Sequence, residues 1–207
     1  MEDSAMGTKG SRPLSDIKKT AIVVLVIAVI ILAALSVVLF VQYLDYRGSK
    51  YRAQRVLMFD MSNVLTRTGM CMSQALDAGY DSDLRSYVAI EAAFNCDRLD
   101  WLSQTVASMY RGGDGVHSAF SDLGQAFDKL NIDMISAYED ILQSGHAIAP
   151  DLNATLTSAM EIVWDLATQF QDAVQKIDGF GTPSSPPVKT LDIGKVGDDA
   201  TSLLAVV

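Results

Sequence analysis

Hydrophobic side chains follow two different patterns along this chain. The first is an apolar run from Ala21 to Val41 that contains no charged residue. As a helix rising 1.5 Å per residue, this run would be about 32 Å long, close to the hydrocarbon thickness of a bilayer. Because the apolar part of a cleaved secretory signal is shorter, roughly 7–15 residues, we predict an uncleaved transmembrane helix at 20-43 and a cytoplasmic segment at 1-19.

The second pattern begins after this run and repeats in alternating steps of four and three residues. Such steps keep apolar side chains on one face of an α-helix, as in helices that pack lengthwise against each other. The pattern is clearest in two stretches: Val116, Phe120, Leu123, Phe127, Leu130, Met134, Ala137 and Ile141, then Leu152, Leu156, Ala159, Val163, Leu166, Phe170, Ala173 and Ile177. Residues 51-111 carry a weaker version of it.

Glycine separates the helical segments at nearly even intervals. Gly79, Gly112, Gly145 and Gly179 are 33, 33 and 34 residues apart, and glycine favours the left-handed conformation that closes a helix. We therefore predict helices at about 51-78, 84-111, 116-144 and 152-178, joined by connections so short that neighbours must be antiparallel. The predicted fold is all-α: one N-terminal transmembrane helix, an antiparallel up-down-up-down four-helix bundle at 51-179, and an extended C-terminal tail.

Two segments lie outside the predicted bundle. Gly48-Ser49 separates the apolar run from the first bundle helix, and we expect a hinge there. Residues 180-207 begin with the Pro-rich stretch Thr182–Pro187, which favours extended backbone, so we predict a linker and tail. A helical-repeat array has a similar period, but the four segments share no repeated signature.

The balance of charge narrows the range of partners. The chain has 25 acidic and 16 basic residues and a formal net charge of −9. Because an acidic domain repels phosphate backbones, we do not expect a nucleic acid partner. Four basic residues lie near each end of the apolar run, so the positive-inside rule does not determine its orientation: Lys9, Arg12, Lys18 and Lys19, against Arg47, Lys50, Arg52 and Arg55.

The two cysteines give a prediction of orientation instead. If helices one and two are antiparallel about a turn at 79-84, Cys71 and Cys96 lie within about one helical turn of facing each other. We predict a disulfide between them, which would place the bundle in an extracytoplasmic compartment and the N-terminus in the cytoplasm. The alternative is two reduced core cysteines. Asn153-Ala-Thr155 matches the N-glycosylation pattern and indicates the same side.

Motifs for catalysis and cofactors are missing from the sequence. It has no phosphate-binding glycine loop, nucleophile elbow or zinc-protease motif, and we predict no enzyme activity, no cofactor and no metal site. The only histidines, His117 and His146, would be about 43 Å apart on one helix. A haem held by His117 with Met58 or Met61 is the alternative. Gly112–Gly115 resembles part of a calcium loop but lacks its later acidic ligands, so we predict a turn.

Four other residues are candidates for binding or for core specificity. Thr68 and Asn95 interrupt the apolar stripes, where polar residues more often fix helix register than line a ligand pocket. Trp101 and Trp164 lie beside the stripes, and they either extend the core or act as exposed anchors for a protein partner.

These features favour a non-catalytic, membrane-anchored component of the cell envelope whose bundle binds another protein or forms a homo-oligomer. One alternative is a ligand-binding sensory domain that signals through a partner, since the architecture resembles in shape the helical sensor domains of chemoreceptors. The chain lacks their second membrane helix and cytoplasmic signalling region. The other alternative is a pilin-like assembly subunit. Fold alone does not choose among these functions.

Overall fold

The computed structural model describes residues 14–144, 147–177 and 185–207. These residues form five α-helices and a short 3-10 helix and contain no strand, which confirms the all-α prediction. The α-helices are α1, Leu14–Leu76; α2, Ser82–Ser108; α3, Gly115–Ser144; α4, Pro150–Gln175; and α5, Ile193–Val206. The 3-10 helix is Pro187–Thr190.

Helix α1 joins two elements that the sequence pattern separates. The apolar run and the first bundle helix form one helix of 63 residues, which continues through Gly48 and Ser49 where a hinge was expected. A single glycine costs only about 1 kcal/mol inside a helix, and no proline lies nearby to break it. Within the described residues, α1 is the one helix long and apolar enough to cross a membrane. The chain divides into two compact units, Met1–Arg47 and Gly48–Val207.

The core of the second unit is built from the predicted stripes. In α3 and α4 nearly every stripe residue is buried, and the rings of Phe120 and Phe170 meet edge to face with centroids 6.2 Å apart. The stripes of α2 and of the second half of α1 are buried too, with Leu99, Leu102 and Met61 inaccessible to solvent. Each helix therefore buries one face, and burial of this apolar area is the main force that holds the helices together.

The ends of α2, α3 and α4 lie within three residues of the predicted bounds, whereas α1 begins at Leu14 because it includes the apolar run. Asp81 caps α2 by accepting a hydrogen bond from the Leu84 backbone N–H at 2.8 Å. In the next connection Gly113, with φ +89°, adopts the left-handed conformation. Gly145 and Gly179 lie outside the described residues.

The prediction of an extended C-terminal tail is wrong, because most of this segment is helical and packed. Asp192 caps α5 through the Lys195 amide, and three side chains spaced along one face are fully buried: Val196, Ala200 and Leu203. Helix α5 packs against α3 and α4, and the Gln169 amide of α4 donates a hydrogen bond to the Asp199 carboxylate. Steps of four and three residues give this short segment an apolar face, and burying that face stabilises the helix.

We therefore expect α5 to contribute to the stability of the domain. Leu203→Ala should lower the free energy of unfolding by about 2–5 kcal/mol, since it removes a fully buried side chain and leaves a cavity. Ser202→Ala, at the exposed neighbouring position, should change it by less than about 0.5 kcal/mol. Urea unfolding of the full chain in detergent, followed by circular dichroism, measures both. Equal effects of the two substitutions would mean that α5 is not part of the folded core.

Candidate protein-interaction face

The outer face of α2 carries a row of exposed aromatic side chains. Tyr87, Phe94 and Trp101 recur every seven residues, close to two helical turns, so they lie nearly in line along the helix. Their exposed fractions are 62%, 69% and 62%, and the residues that α2 buries lie on the opposite face. Single exposed hydrophobic residues are ordinary, whereas an aligned set of large ones marks a surface that can bind another molecule.

Two ion pairs between α1 and α2 form one border of this row. Arg98 contacts both carboxylate oxygens of Asp60, at 2.5 and 2.7 Å, and Arg67 pairs with Glu91. The arginine side chains are more than half exposed, so each pair adds little to stability. They mark which positions of α1 and α2 lie alongside each other, and they leave no excess charge on this border.

Exposed apolar side chains on α1 extend the surface beyond the ion pairs. Met70 lies one turn from Arg67, and Phe59 is adjacent to Asp60; both are exposed, as is Val56 one turn further. The guanidinium of Arg55 lies 5.7 Å from the centroid of the Phe59 ring. We define the α1–α2 outer face by the three aromatic residues of α2 together with the three apolar residues of α1: Tyr87, Phe94, Trp101, Val56, Phe59 and Met70.

The other border of the aromatic row, toward α3, is acidic. Asp97 is exposed between Phe94 and Trp101, and Asp100 lies further toward α3. Burial raises the pKa of the Asp100 carboxyl, a hydrogen bond from Gln104 lowers it, and the negative charges of Asp128 and Asp97 raise it again. The row therefore lies between a border of paired charges and a border that carries the carboxylates of Asp97 and Asp100.

The two tryptophans that the sequence singled out have different roles. Trp101 belongs to the exposed row and does not extend the core. Trp164 of α4 is only partly exposed and packs against the core. Its ring fills the space beside Gly69, where an added Cβ would lie 2.8 Å from the Trp164 Cε2 atom. Trp164 is thus a packing residue.

Sequence reasoning missed Tyr87 and Phe94. The signal that could have found them is the seven-residue spacing that they share with Trp101. That spacing was hidden because the stripe used to predict α2 follows its buried face, and the aromatic row lies on the opposite side.

The polar residues singled out in the sequence analysis do not form one site among the described residues. Thr68 is buried and donates a hydrogen bond to the Val64 carbonyl of its own helix at 2.8 Å. Asn95 is partly exposed, and its buried Nδ2 has no hydrogen-bond partner among the described residues. His117 Nδ1 lies 3.0 Å from the Ala107 carbonyl oxygen, so its N–H form donates there. His146 lies outside the described residues.

The remaining candidates are the methionines of a haem site, a metal site and the glycosylation pattern. Met58 and Met61 are both fully buried in the apolar core. Nowhere in the described part of the chain do three or more His, Cys, Asp or Glu side chains converge on a metal position. Asn153 is exposed in the first turn of α4, where its amide is open to solvent. Its backbone N–H donates to the Ala149 carbonyl oxygen.

The predicted disulfide is not formed: Cys71 and Cys96 are both buried free thiols. The two ion pairs show why. Cys96 lies between Glu91 and Arg98, and therefore alongside the stretch of α1 between Arg67 and Asp60, whereas Cys71 lies a turn beyond Arg67. The two cysteines therefore lie at different levels along the helices, while bridged cysteines need Cα atoms roughly 4.4–6.8 Å apart. The turn at 77–81, earlier than expected, moves the register in this direction.

The thiols should make stability depend on pH in the alkaline range. Burial raises the pKa of the Cys71 thiol from 9.0 to about 11, so the unfolded chain ionises this group at a lower pH than the folded chain. The free energy of unfolding should be unaffected by this group below pH 9 and fall as pH rises toward 11. Cys71→Ala should make that fall smaller, and Ser73→Ala, at an exposed position nearby, should not. Urea unfolding at pH 8 and 10.5 tests this; equal falls in both variants would contradict it.

The comparisons with known proteins do not assign a function to this chain. No family model, no curated protein and no solved structure matches this chain. The functional argument therefore rests on the geometry of the α1–α2 outer face and on the apolar first half of α1.

Proposed function

We propose that this chain is a non-catalytic, single-pass membrane component whose helical domain binds a protein through the α1–α2 outer face. The observation that carries the proposal is the aligned, solvent-exposed row of Tyr87, Phe94 and Trp101. Aromatic side chains supply much of the binding energy in protein interfaces, because each buries a large area at a small cost in side-chain entropy.

An antiparallel up-down-up-down four-helix bundle, extended by α5, is the architecture that we propose for the domain. Contacts between α1 and α2 support it, because positions that advance along α1 pair with positions that recede along α2. In order along α1, the pairs are Lys50 with the Met109 carbonyl, Asp60 with Arg98, Arg67 with Glu91, and the Ala75 carbonyl with Arg85. Between α2 and α3, His117 pairs with Ala107 and Gln104 with Ser121 in the same reversed sense.

The composition of the core favours a structural and binding role over a ligand-sensing one. The largest fully buried side chains are all Phe, Met or Leu, as in a core whose purpose is stability. A sensory domain would need polar groups that converge on an enclosed ligand. Thr68 instead satisfies its hydroxyl within α1, while the large apolar surface lies on the outside of α2.

For the membrane, we propose that the apolar first half of α1 is the anchor, with the N-terminus in the cytoplasm and the helical domain on the opposite side. Its support is the length of the apolar helix, whose large side chains from Ile31 to Val41 are mostly exposed. The exposed Asn153 of the glycosylation pattern is compatible with this orientation. The thiols no longer bear on it, since they are unpaired.

Labelling with a membrane-impermeant maleimide should determine the orientation. Gln125→Cys, at an exposed position of α3, should react in intact cells, whereas Ser4→Cys should react only after the membrane is permeabilised. The native thiols are buried, so the unsubstituted chain should give little background. The opposite pattern, with Ser4→Cys labelled in intact cells, would reverse the proposed topology.

Binding should depend on the aromatic row and not on exposed apolar residues in general. Phe94→Ser or Trp101→Ser in the full chain should reduce the amount of protein co-purified from the native membrane by about tenfold or more, since interface anchors typically contribute about 2 kcal/mol or more. Ile132→Ser removes a side chain that is 58% exposed on α3 and should have little effect. Quantitative mass spectrometry measures recovery, and circular dichroism checks that each variant folds. Equal recovery from all three variants would exclude this face as the binding site.

A further inference from the structure

We infer that the protein bound at the α1–α2 outer face is a second copy of this chain, related by a twofold axis that runs parallel to α2. This inference rests on the proposed function, since it names the occupant of the same face. Three features carry it: the spacing of the aromatic row, the arrangement of charges beside it, and the membrane anchor.

The spacing suits the packing of two identical helices side by side. A repeat of seven residues is the repeat with which parallel helices present the same positions to each other over several turns. Across a twofold axis along the row, Phe94 faces Phe94 of the second copy, and Tyr87 and Trp101 likewise face their equivalents. Aromatic rings suit such self-contact because they stack or meet edge to face, and the Tyr87 hydroxyl and Trp101 N–H lie at the edges of otherwise apolar rings.

The charges on the two borders of the row are complementary to each other when two copies are related by this twofold axis. A twofold axis parallel to α2 brings the α3-side border of one copy against the α1-side border of the other. Asp97 then lies level with Arg98 of the second copy, because the two positions are adjacent in sequence. Arg98 is half exposed even while it pairs with Asp60, and a guanidinium has donors left for a second carboxylate.

The balance of charge at the face favours a second copy over a strongly basic partner. The side chains around the row comprise three arginines and four acids, a difference of one charge: Arg55, Arg67 and Arg98, with Asp60, Glu91, Asp97 and Asp100. Residues 56–207 carry 21 acidic and eight basic groups, a net charge of −13, so the negative excess of the domain lies mainly elsewhere. At physiological ionic strength such distant charges are screened beyond about 8 Å.

The membrane anchor compensates for the small contact area of the aromatic row. A fully buried aromatic side chain contributes roughly 150–250 Å², so the exposed parts of the three rings offer on the order of 400 Å² per copy, about half of the roughly 800 Å² of a standard interface. Val56, Phe59 and Met70 add to this area. Two copies held in one membrane also share the same orientation and a high local concentration, which reduces the affinity that the face itself must provide.

Cysteine cross-linking in native membranes tests the symmetry directly. In the full chain, Phe94→Cys should form a disulfide-linked homodimer under mild oxidation, because equivalent residues meet on a twofold axis. Ile132→Cys places a thiol at an exposed apolar position of α3. It should give less dimer by about fivefold or more, because its thiols meet only by random collision in the membrane. The unsubstituted chain should give almost none, since its thiols are buried.

The cross-linking results test the second copy and the proposed binding function separately. Preferential dimer from Phe94→Cys supports the second copy. Adducts of Phe94→Cys with a different protein, without dimer, would overturn the second copy and leave the binding function standing. No adduct above that of Ile132→Cys would overturn both. As an independent check, Asp97→Arg in the Phe94→Cys chain should lower dimer yield several-fold, whereas Asp172→Arg, exposed on α4, should not; equal yields would remove the charge argument and, with it, the proposed axis.

Discussion

Burial of a single face on α2 is the constraint from which the proposed binding surface follows. Leu99, Leu102 and the other buried residues of α2 occupy the side turned toward the domain interior, and helical geometry places Tyr87, Phe94 and Trp101 on the side turned away. A helix that only needed to be soluble would carry polar residues on that outer side. Three aromatic side chains there oppose solubility, so a binding role accounts for them better than stability does.

The ion pairs between α1 and α2 connect this surface to the rest of the domain. Because Arg67 pairs with Glu91 and Asp60 with Arg98, the apolar residues of α1 lie beside the aromatic row and form one face with it. The same register moves Cys71 and Cys96 apart, so two buried thiols take the place of a covalent bridge. The position of α1 along α2, which these contacts mark, thus has consequences both for surface composition and for the state of the cysteines.

Two elements add to the four helices predicted for the bundle: the apolar first half of α1 and the C-terminal helix α5. Helix α1 passes from the apolar run into the folded domain without a break, and α5 returns the C-terminal residues to the surfaces of α3 and α4. A face that binds another membrane-anchored protein gains from the restricted orientation that an anchor imposes, since less rotational freedom remains to be lost on binding. The proposed dimer would therefore depend on the anchor as well as on side-chain contacts.

The sequence by itself determined the helical class, the apolar first helix, the ends of α2, α3 and α4 to within three residues, and the buried stripes of α3 and α4. These depend on the spacing of side chains within one helix, which local periodicity records. Only the tertiary structure decided the free state of Cys71 and Cys96, the packing of α5, the core position of Trp164 and the exposure of Phe94. Each of these depends on how one helix is placed against another, and a shift of a few residues between helices leaves the periodicity unchanged while it changes which side chains meet.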